Sequence, residues 1–142
     1  MRVSAKIDYA CRALTELALH WPDKKPLQIQ IIAKRQKIPI KFLVHILIQL
    51  KQMGFAESVR GKNGGYILNL SPADIKLSSI IKSFGGLGFT PAEIKKKQAG
   101  KQVMDIIWQE IDQSVIQMMD KINFENICNL TRSNDKSIIY EI

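Results

Sequence analysis

The chain has little of what a secreted, membrane-spanning or disulfide-stabilised protein needs. Only two of its 142 residues are cysteines, Cys11 and Cys128, which excludes a disulfide framework and favours a reducing cytoplasm. Charged residues interrupt every apolar run before it reaches bilayer-spanning length. The first residues lack the apolar stretch and small-residue cleavage site of a secretory signal. We therefore expect a soluble, cytoplasmic protein without a membrane partner.

Motifs that indicate catalysis are also missing. The sequence contains no GxSxG, no Walker loop and no cluster of histidines and carboxylates. We therefore expect no enzymatic activity, no metal site and no cofactor.

The positive charge is confined to the first half of the chain. Residues 1–72 hold 12 Lys or Arg against 4 Asp or Glu, a net charge of +8, whereas residues 73–142 hold nine of each. Such an asymmetry indicates a polyanionic partner on the N-terminal side.

Three helices are predicted in this basic half. The first has an apolar stripe at helical spacing and stops at Pro22; the stripe consists of Ile7, Ala10, Cys11, Leu14, Leu17, Ala18 and Trp21. A short second helix, with Ile29, Ile32 and Ala33 inward, is broken by Ile38-Pro39. The third runs from about Ile40 to Met53 before Gly54, with core candidates Phe42, Leu43, Ile46, Leu47 and Leu50. Two helices around a tight break predict a helix-turn-helix.

A β-hairpin is predicted directly after the third helix. Residues 55–59 and 66–70 alternate like strands, and the loop between them reads Arg60-Gly-Lys-Asn-Gly-Gly65. A hairpin with a cationic tip in this place is typical of a DNA-binding wing; the alternative is an ordinary surface hairpin. The predicted fold is mainly α with a small β-hairpin wing, a winged helix-turn-helix over residues 1–84.

The rest of the chain divides into a linker and a long helix. A short helix over Ile75–Phe84 closes the first domain, and residues 85–100 are predicted to be a hinge or linker. Within 101–142, a helix from about Lys101 to Asn123 precedes a C-terminal tail. Its apolar residues repeat at intervals of four and three, and we call them the heptad seam: Met104, Trp108, Ile111, Val115, Met118 and Ile122. The seam predicts a long C-terminal dimerisation helix; packing on its own domain is the alternative.

Several segments resemble one known family. Tyr9-Ala10, Ile32-Ala33 and above all Ser58-Val-Arg-Gly-Lys-Asn-Gly-Gly-Tyr-Ile-Leu68 are similar to the Rrf2 family of bacterial winged-helix transcription regulators. The resemblance covers about residues 1–85. It implies a homodimer on a pseudo-palindromic DNA site, with the third helix in the major groove and Arg60 probing the minor groove. A guanidinium group suits that narrow, electronegative groove.

Two departures from the family pattern matter. Many members hold an iron–sulfur cluster with three closely spaced cysteines before the dimer helix, but residues 85–103 contain neither cysteine nor histidine. Asp8 matches a carboxylate ligand of some members, yet a lone carboxylate cannot hold a cluster. In the third helix, Val44-His45 replaces a common Glu-Gln pair, and Val44 cannot accept a hydrogen bond from cytosine. This favours a different operator or contact with thymine methyl groups.

The predicted DNA contacts follow from these placements and are Arg60, Lys62, Lys41, His45, Gln49, Arg2 and Lys6. Arg60 is the wing residue, Lys41, His45 and Gln49 lie on the third helix, and Arg2, Lys6 and Lys62 are candidate phosphate contacts. Cys11 lies on an apolar stripe and is interpreted as a packing residue.

The leading hypothesis is a dimeric regulator of repressor type that binds double-stranded DNA without a cluster. One alternative is an interaction module whose winged helix binds a protein partner. Another is a metabolite-responsive regulator with an effector pocket near the 85–100 hinge.

Overall fold

The predicted helices and hairpin all form in the computed structural model, which describes residues 3–86 and 102–141, with side chains up to residue 134. The elements are α1 (Ala5–Leu19), α2 (Ile29–Gln36), α3 (Ile40–Gln52), β1 (Ala56–Val59), β2 (Gly65–Leu68), a 3-10 turn (Pro72–Asp74), α4 (Leu77–Ser83), α5 (Val103–Asp120) and α6 (Phe124–Glu141). Residues 87–100 of the predicted 85–100 hinge lie outside the described ranges, as does Arg2. None of the described helices is long and apolar enough to cross a bilayer.

Helices α1, α2 and α3 surround the hydrophobic core. Ser4 begins α1, where its side chain accepts a hydrogen bond from the Ile7 amide at 3.2 Å. Lys37 ends α2 in the left-handed conformation (φ 53°), and Ile38 then turns into the core at 3% exposure. The three residues between α2 and α3 form the predicted tight break. The inward face of α3 is fully buried at Leu43, Ile46, Leu47 and Leu50.

The hairpin is attached to the helices through the loop that precedes α2. Strands β1 and β2 pair antiparallel, with Ser58 opposite Tyr66. The Leu27 and Tyr66 backbones exchange two hydrogen bonds of 2.9 Å, which join β2 to the loop before α2. A Cβ on Gly65 would lie 2.2 Å from the Leu27 carbonyl oxygen, so this approach requires glycine. The hairpin is therefore fixed against the start of α2.

The C-terminal region differs from the prediction, because residues expected to be a tail form α6. Phe124, at its start, has no exposed surface, and Cys128, one turn later, is 2% exposed. Both belong to the same core as α1, against which α6 packs. The Leu77 amide donates to Ile122 O (2.8 Å) and the Phe124 amide to Ile75 O (3.0 Å). We call residues 75–77 and 122–124 the α4–α6 junction.

Phe42 was predicted to be a core residue and is not. It is 48% exposed, and its ring stacks on Tyr9 of α1 with centroids 6.4 Å apart. The apolar stripe of α3 is wider than the buried face, so Phe42 lies at the edge of the α1–α3 contact instead of inside it.

Candidate nucleic-acid interface

The outward face of α3 combines cationic, polar and apolar side chains. Lys41, His45, Ile48 and Gln52 are exposed and lie on the side opposite the buried core residues, because they repeat at four, three and four positions. Val44 is half-buried beside them. Sequence reasoning missed Ile48, which is 41% exposed; its spacing of seven residues from Lys41 could have identified it. In a helix-turn-helix, the second helix generally turns its outward face toward a DNA groove.

The tip of the hairpin forms a cationic groove with the start of α2. Exposed Arg60 and Lys62 line an open depression of about 510 Å³ together with Gln28 and Gln30. No side chain caps α2, whose N-cap residue is Gln28. The positive end of the α2 dipole therefore adds to the positive charge of Arg60 and Lys62 around this groove. Such an arrangement suits the binding of a phosphate group.

The hairpin is also connected to α3. The Lys51 ammonium group donates to the Ser58 hydroxyl at 2.6 Å, and the Asn69 side chain donates to Gly54 O at 3.1 Å. The hairpin and the outward face of α3 are thus held in a fixed relation.

Most carboxylates of the basic half are already engaged. Asp8 accepts two hydrogen bonds from Arg12, at 2.7 and 3.0 Å. Glu16, 7% exposed, accepts from Gln36 at 2.8 Å and lies 3.6 Å from Arg35. Asp23 accepts from the Lys25 amide at 3.0 Å. Glu57 on β1 is the exposed carboxylate nearest in sequence to the wing. Within the described residues, the recorded ion pairs use Arg12 and Arg35, and none uses Lys41, Arg60 or Lys62, so the positive field of these three side chains extends into solvent.

Two of the predicted DNA contacts lie on a different face. Lys6 and Gln49 line a cavity between α1 and α3, and the Lys6 ammonium group lies 5.7 Å from the centre of the Phe84 ring. Gln49 is only half-exposed, and its Oε1 atom is buried without a hydrogen-bond partner. His45 lines the same cavity from the edge of the outward face of α3. The structure thus separates Lys6 and Gln49 from the wing residues.

The heptad seam is only partly covered within one chain. Trp108, Ile111 and Val115 are half-exposed, whereas Met104 (48%), Met118 (68%) and Ile122 (37%) are exposed. Helix α5 is 18 residues long and begins with a capping box between Gln102 and Asp105. None of its residues is buried. An apolar stripe of this length left in solvent is typical of an unfilled interface.

A helix-turn-helix followed by an attached hairpin defines a winged helix-turn-helix protein. The sequence model of the Rrf2 family, described as "Iron-dependent Transcriptional regulator", matches residues 3–130. The chain belongs to the Rrf2 family of transcriptional regulators.

Individual relatives agree with this assignment. A Rhodobacter capsulatus protein named as an Rrf2-like HTH-type transcriptional regulator is 38% identical over 86 residues, 59% of this chain and 57% of the relative. An HTH-type transcriptional regulator of Synechocystis is 40% identical over 81 residues, 57% of this chain and 54% of the relative. The match thus spans little more than half the length of either protein. The solved structure of T. potens IscR is 28% identical and superposes with a TM-score of 0.79, covering 92% of this chain and 88% of that one.

The cysteines of this chain do not fit the iron–sulfur cluster that the family resemblance implies. A cluster needs several thiolates in one place. Cys11 on α1 and Cys128 on α6 both pack against the hydrophobic core. Burial, and secondarily Asp8, raises the pKa of Cys11 to about 11, and burial raises the pKa of Cys128. Among the residues that the structure describes, no three His, Cys, Asp or Glu side chains are placed to hold a metal ion.

Proposed function

We propose that the chain is a transcription regulator of repressor type that binds operator DNA as a homodimer in the bacterial cytoplasm. It catalyses no reaction and holds no iron–sulfur cluster. The observation that carries the proposal is the cationic outward surface of the winged helix-turn-helix, where three of the four carboxylates of residues 1–72 accept hydrogen bonds from neighbouring protein groups. Family membership supports the same reading.

In this proposal the two halves of the surface have different tasks. Helix α3 enters the major groove with Lys41 and His45, while Arg60 reaches into the adjacent minor groove. Lys62 and the uncapped start of α2 bind phosphates and fix the register without reading sequence. The groove that Arg60 and Lys62 share with α2 can accommodate the sugar–phosphate backbone of one DNA strand.

Val44 and Ile48 give the proposed base readout an apolar component. They are one turn apart on α3, and neither side chain can hydrogen-bond to a base edge. The apolar group that a major groove offers is the thymine methyl group. We therefore infer an operator with thymines facing these two positions.

The experiment that tests the proposal is selection of bound duplexes from a random pool, compared with affinity capture of proteins from cell extract. We expect a pseudo-palindromic sequence with thymines at fixed positions in each half. Capture of a protein partner without any selected DNA sequence would instead support the interaction module and reject the regulator.

Replacing Arg60 with Ala is expected to weaken binding to the selected operator by about 1–3 kcal/mol, because the minor-groove contact is lost. Fluorescence anisotropy with a labelled operator measures the change. Lys121→Ala is the matched control: it removes one exposed cation from the half of the chain with no net charge. Equal affinities for the Arg60 variant and the unaltered protein would exclude the wing from recognition.

We propose that a second copy of the chain covers the heptad seam. The exposed methionines and Ile122 extend along one side of α5, and the half-exposed Trp108, Ile111 and Val115 lie next to them. A two-fold axis would bring the same side chains together from both chains. Such contacts would bury apolar area that one chain leaves in water.

Met118→Glu is expected to raise the dimer dissociation constant by about a hundredfold, because two unpaired carboxylates would enter an apolar interface. Analytical ultracentrifugation over a concentration series measures this. Gln113→Glu places the same charge on the opposite side of α5, at an exposed position, and is expected to leave the dimer intact. If both variants dimerise equally, the seam is not the interface.

A further inference from the structure

A cavity of about 540 Å³ lies between the N-terminal half of α1 and the helix α3. Its volume is within the usual range of small-molecule sites. Tyr9, Phe42, Ile46 and Ile48 supply aromatic and branched apolar walls. Among the described lining residues, Lys6 and His45 can carry positive charge. The cavity is separate from the wing groove and from the heptad seam.

The walls favour a ligand with a flat or branched apolar body. Tyr9 and Phe42 stack at an interplanar angle of 29°, which leaves one aromatic surface across the two helices. Phe42 remains 48% exposed there, a large apolar side chain that the core does not use. An aromatic ring of a ligand packed against Tyr9 and Phe42 would shield their exposed aromatic surface from water.

The charges at the same place favour an anionic group. Lys6 is exposed, and Lys41 holds its ammonium group 5.0 Å from the centre of the Phe42 ring. The acidic residue on this part of α1, Asp8, points its carboxylate to Arg12. Among the described residues that line the cavity, none is acidic. A carboxylate or sulfonate would thus find cationic partners without an opposing charge.

We propose that the α1–α3 cavity is an effector site for a small organic anion with an aromatic or branched aliphatic body. His45 and Ile48 belong both to its lining and to the outward face of α3. A ligand there changes the surface that α3 presents, so binding of the anion and binding of DNA are coupled. The coupling rests on the proposed function, whereas the binding of the anion does not.

The binding arm of the test uses two dyes with the same ring system: anionic anilinonaphthalene sulfonate and its neutral parent, phenylnaphthylamine. Fluorescence titration of the full chain is expected to show one anion site per chain. Lys6→Gln is expected to raise the Kd of the anionic dye about tenfold and to leave that of the neutral dye unchanged, since one charged partner is lost. Lys24→Gln, an exposed lysine outside the lining, is the control.

A second variant locates the site independently of charge. Ala5 is exposed and lines the cavity at the first turn of α1, so Ala5→Phe places a ring in the opening without altering the core. Both dyes are expected to lose binding, with an unchanged thermal midpoint. Unaltered binding of both dyes to the Lys6 and Ala5 variants would place the dye elsewhere and overturn the proposal. So would dye binding that disappears when the chain dimerises, because a second copy would then occupy the cavity.

The coupling arm measures operator affinity with saturating anionic dye. We expect a change of at least about fivefold, and none in the Ala5 variant. Binding of the dye in the cavity with unchanged operator affinity would overturn the effector role. A chain that binds the dye but selects no DNA would instead reject the proposed function and leave the ligand site supported.

Discussion

Raising the salt concentration from about 50 to about 200 mM is expected to weaken operator binding by about 10³–10⁵-fold. A dimer that neutralises roughly 6–10 phosphates releases that many counterions, and the affinity then falls steeply with salt. The net charge of +8 lies within residues 1–72, where Asp8, Glu16 and Asp23 already accept hydrogen bonds from neighbouring protein groups. Most of the cationic side chains are thus available to the DNA backbone.

Individual lysines give this prediction a finer test. Lys62→Gln is expected to lower the slope of log affinity against log salt by about one for each half-site, because one phosphate contact per chain is lost. Lys121→Gln, outside the winged half, is expected to leave the slope unchanged. A shallow slope in the unaltered protein would show that recognition is not governed by the backbone charge.

The second large effect is on stability. Phe124→Ala is expected to lower the free energy of unfolding by about 3–5 kcal/mol, since it leaves a cavity where α6 meets the core. The Phe124 side chain has no exposed surface, and its amide donates to Ile75 O at 3.0 Å. Urea unfolding followed by circular dichroism measures the loss.

Leu130→Ala provides the matched comparison on the same helix. Leu130 is 64% exposed, so its truncation is expected to change stability by no more than about 0.5 kcal/mol. If the two substitutions had the same effect, α6 would not be the part of the core that the structure describes.

The winged half could be predicted from the sequence because its signals are strong and local. Helical periodicity, the Ile38-Pro39 break and the glycine-rich loop each determine the local backbone. Phe42 shows what helical periodicity cannot predict. Periodicity identifies the apolar stripe of a helix, but it does not identify which edge of that stripe a neighbouring helix covers. The same limit applies to Gln49, a predicted DNA contact that lines the cavity with residues of α1.

Helix α6 was missed because its sequence is largely polar and only one narrow side enters the core. Phe124 and Cys128 contact that core, whereas Glu125, Asn129 and Leu130 are exposed. A start signal does exist. The Asn123 amide donates to Asn126 Oδ1 (2.9 Å) and the Asn126 amide to Asn123 Oδ1 (2.8 Å), a reciprocal pair like a capping box. Asparagine in both places makes the signal harder to recognise than Ser or Thr with Glu.

The α4–α6 junction has a consequence for the length of the operator. Two backbone hydrogen bonds, from Leu77 to Ile122 O and from Phe124 to Ile75 O, brace the end of α5 against the winged half. In a dimer joined along α5, this brace sets the angle between the two-fold axis and each recognition helix. These main-chain hydrogen bonds then help to fix the distance between the two half-sites. The selected duplexes should therefore share one half-site spacing, close to a whole number of DNA turns.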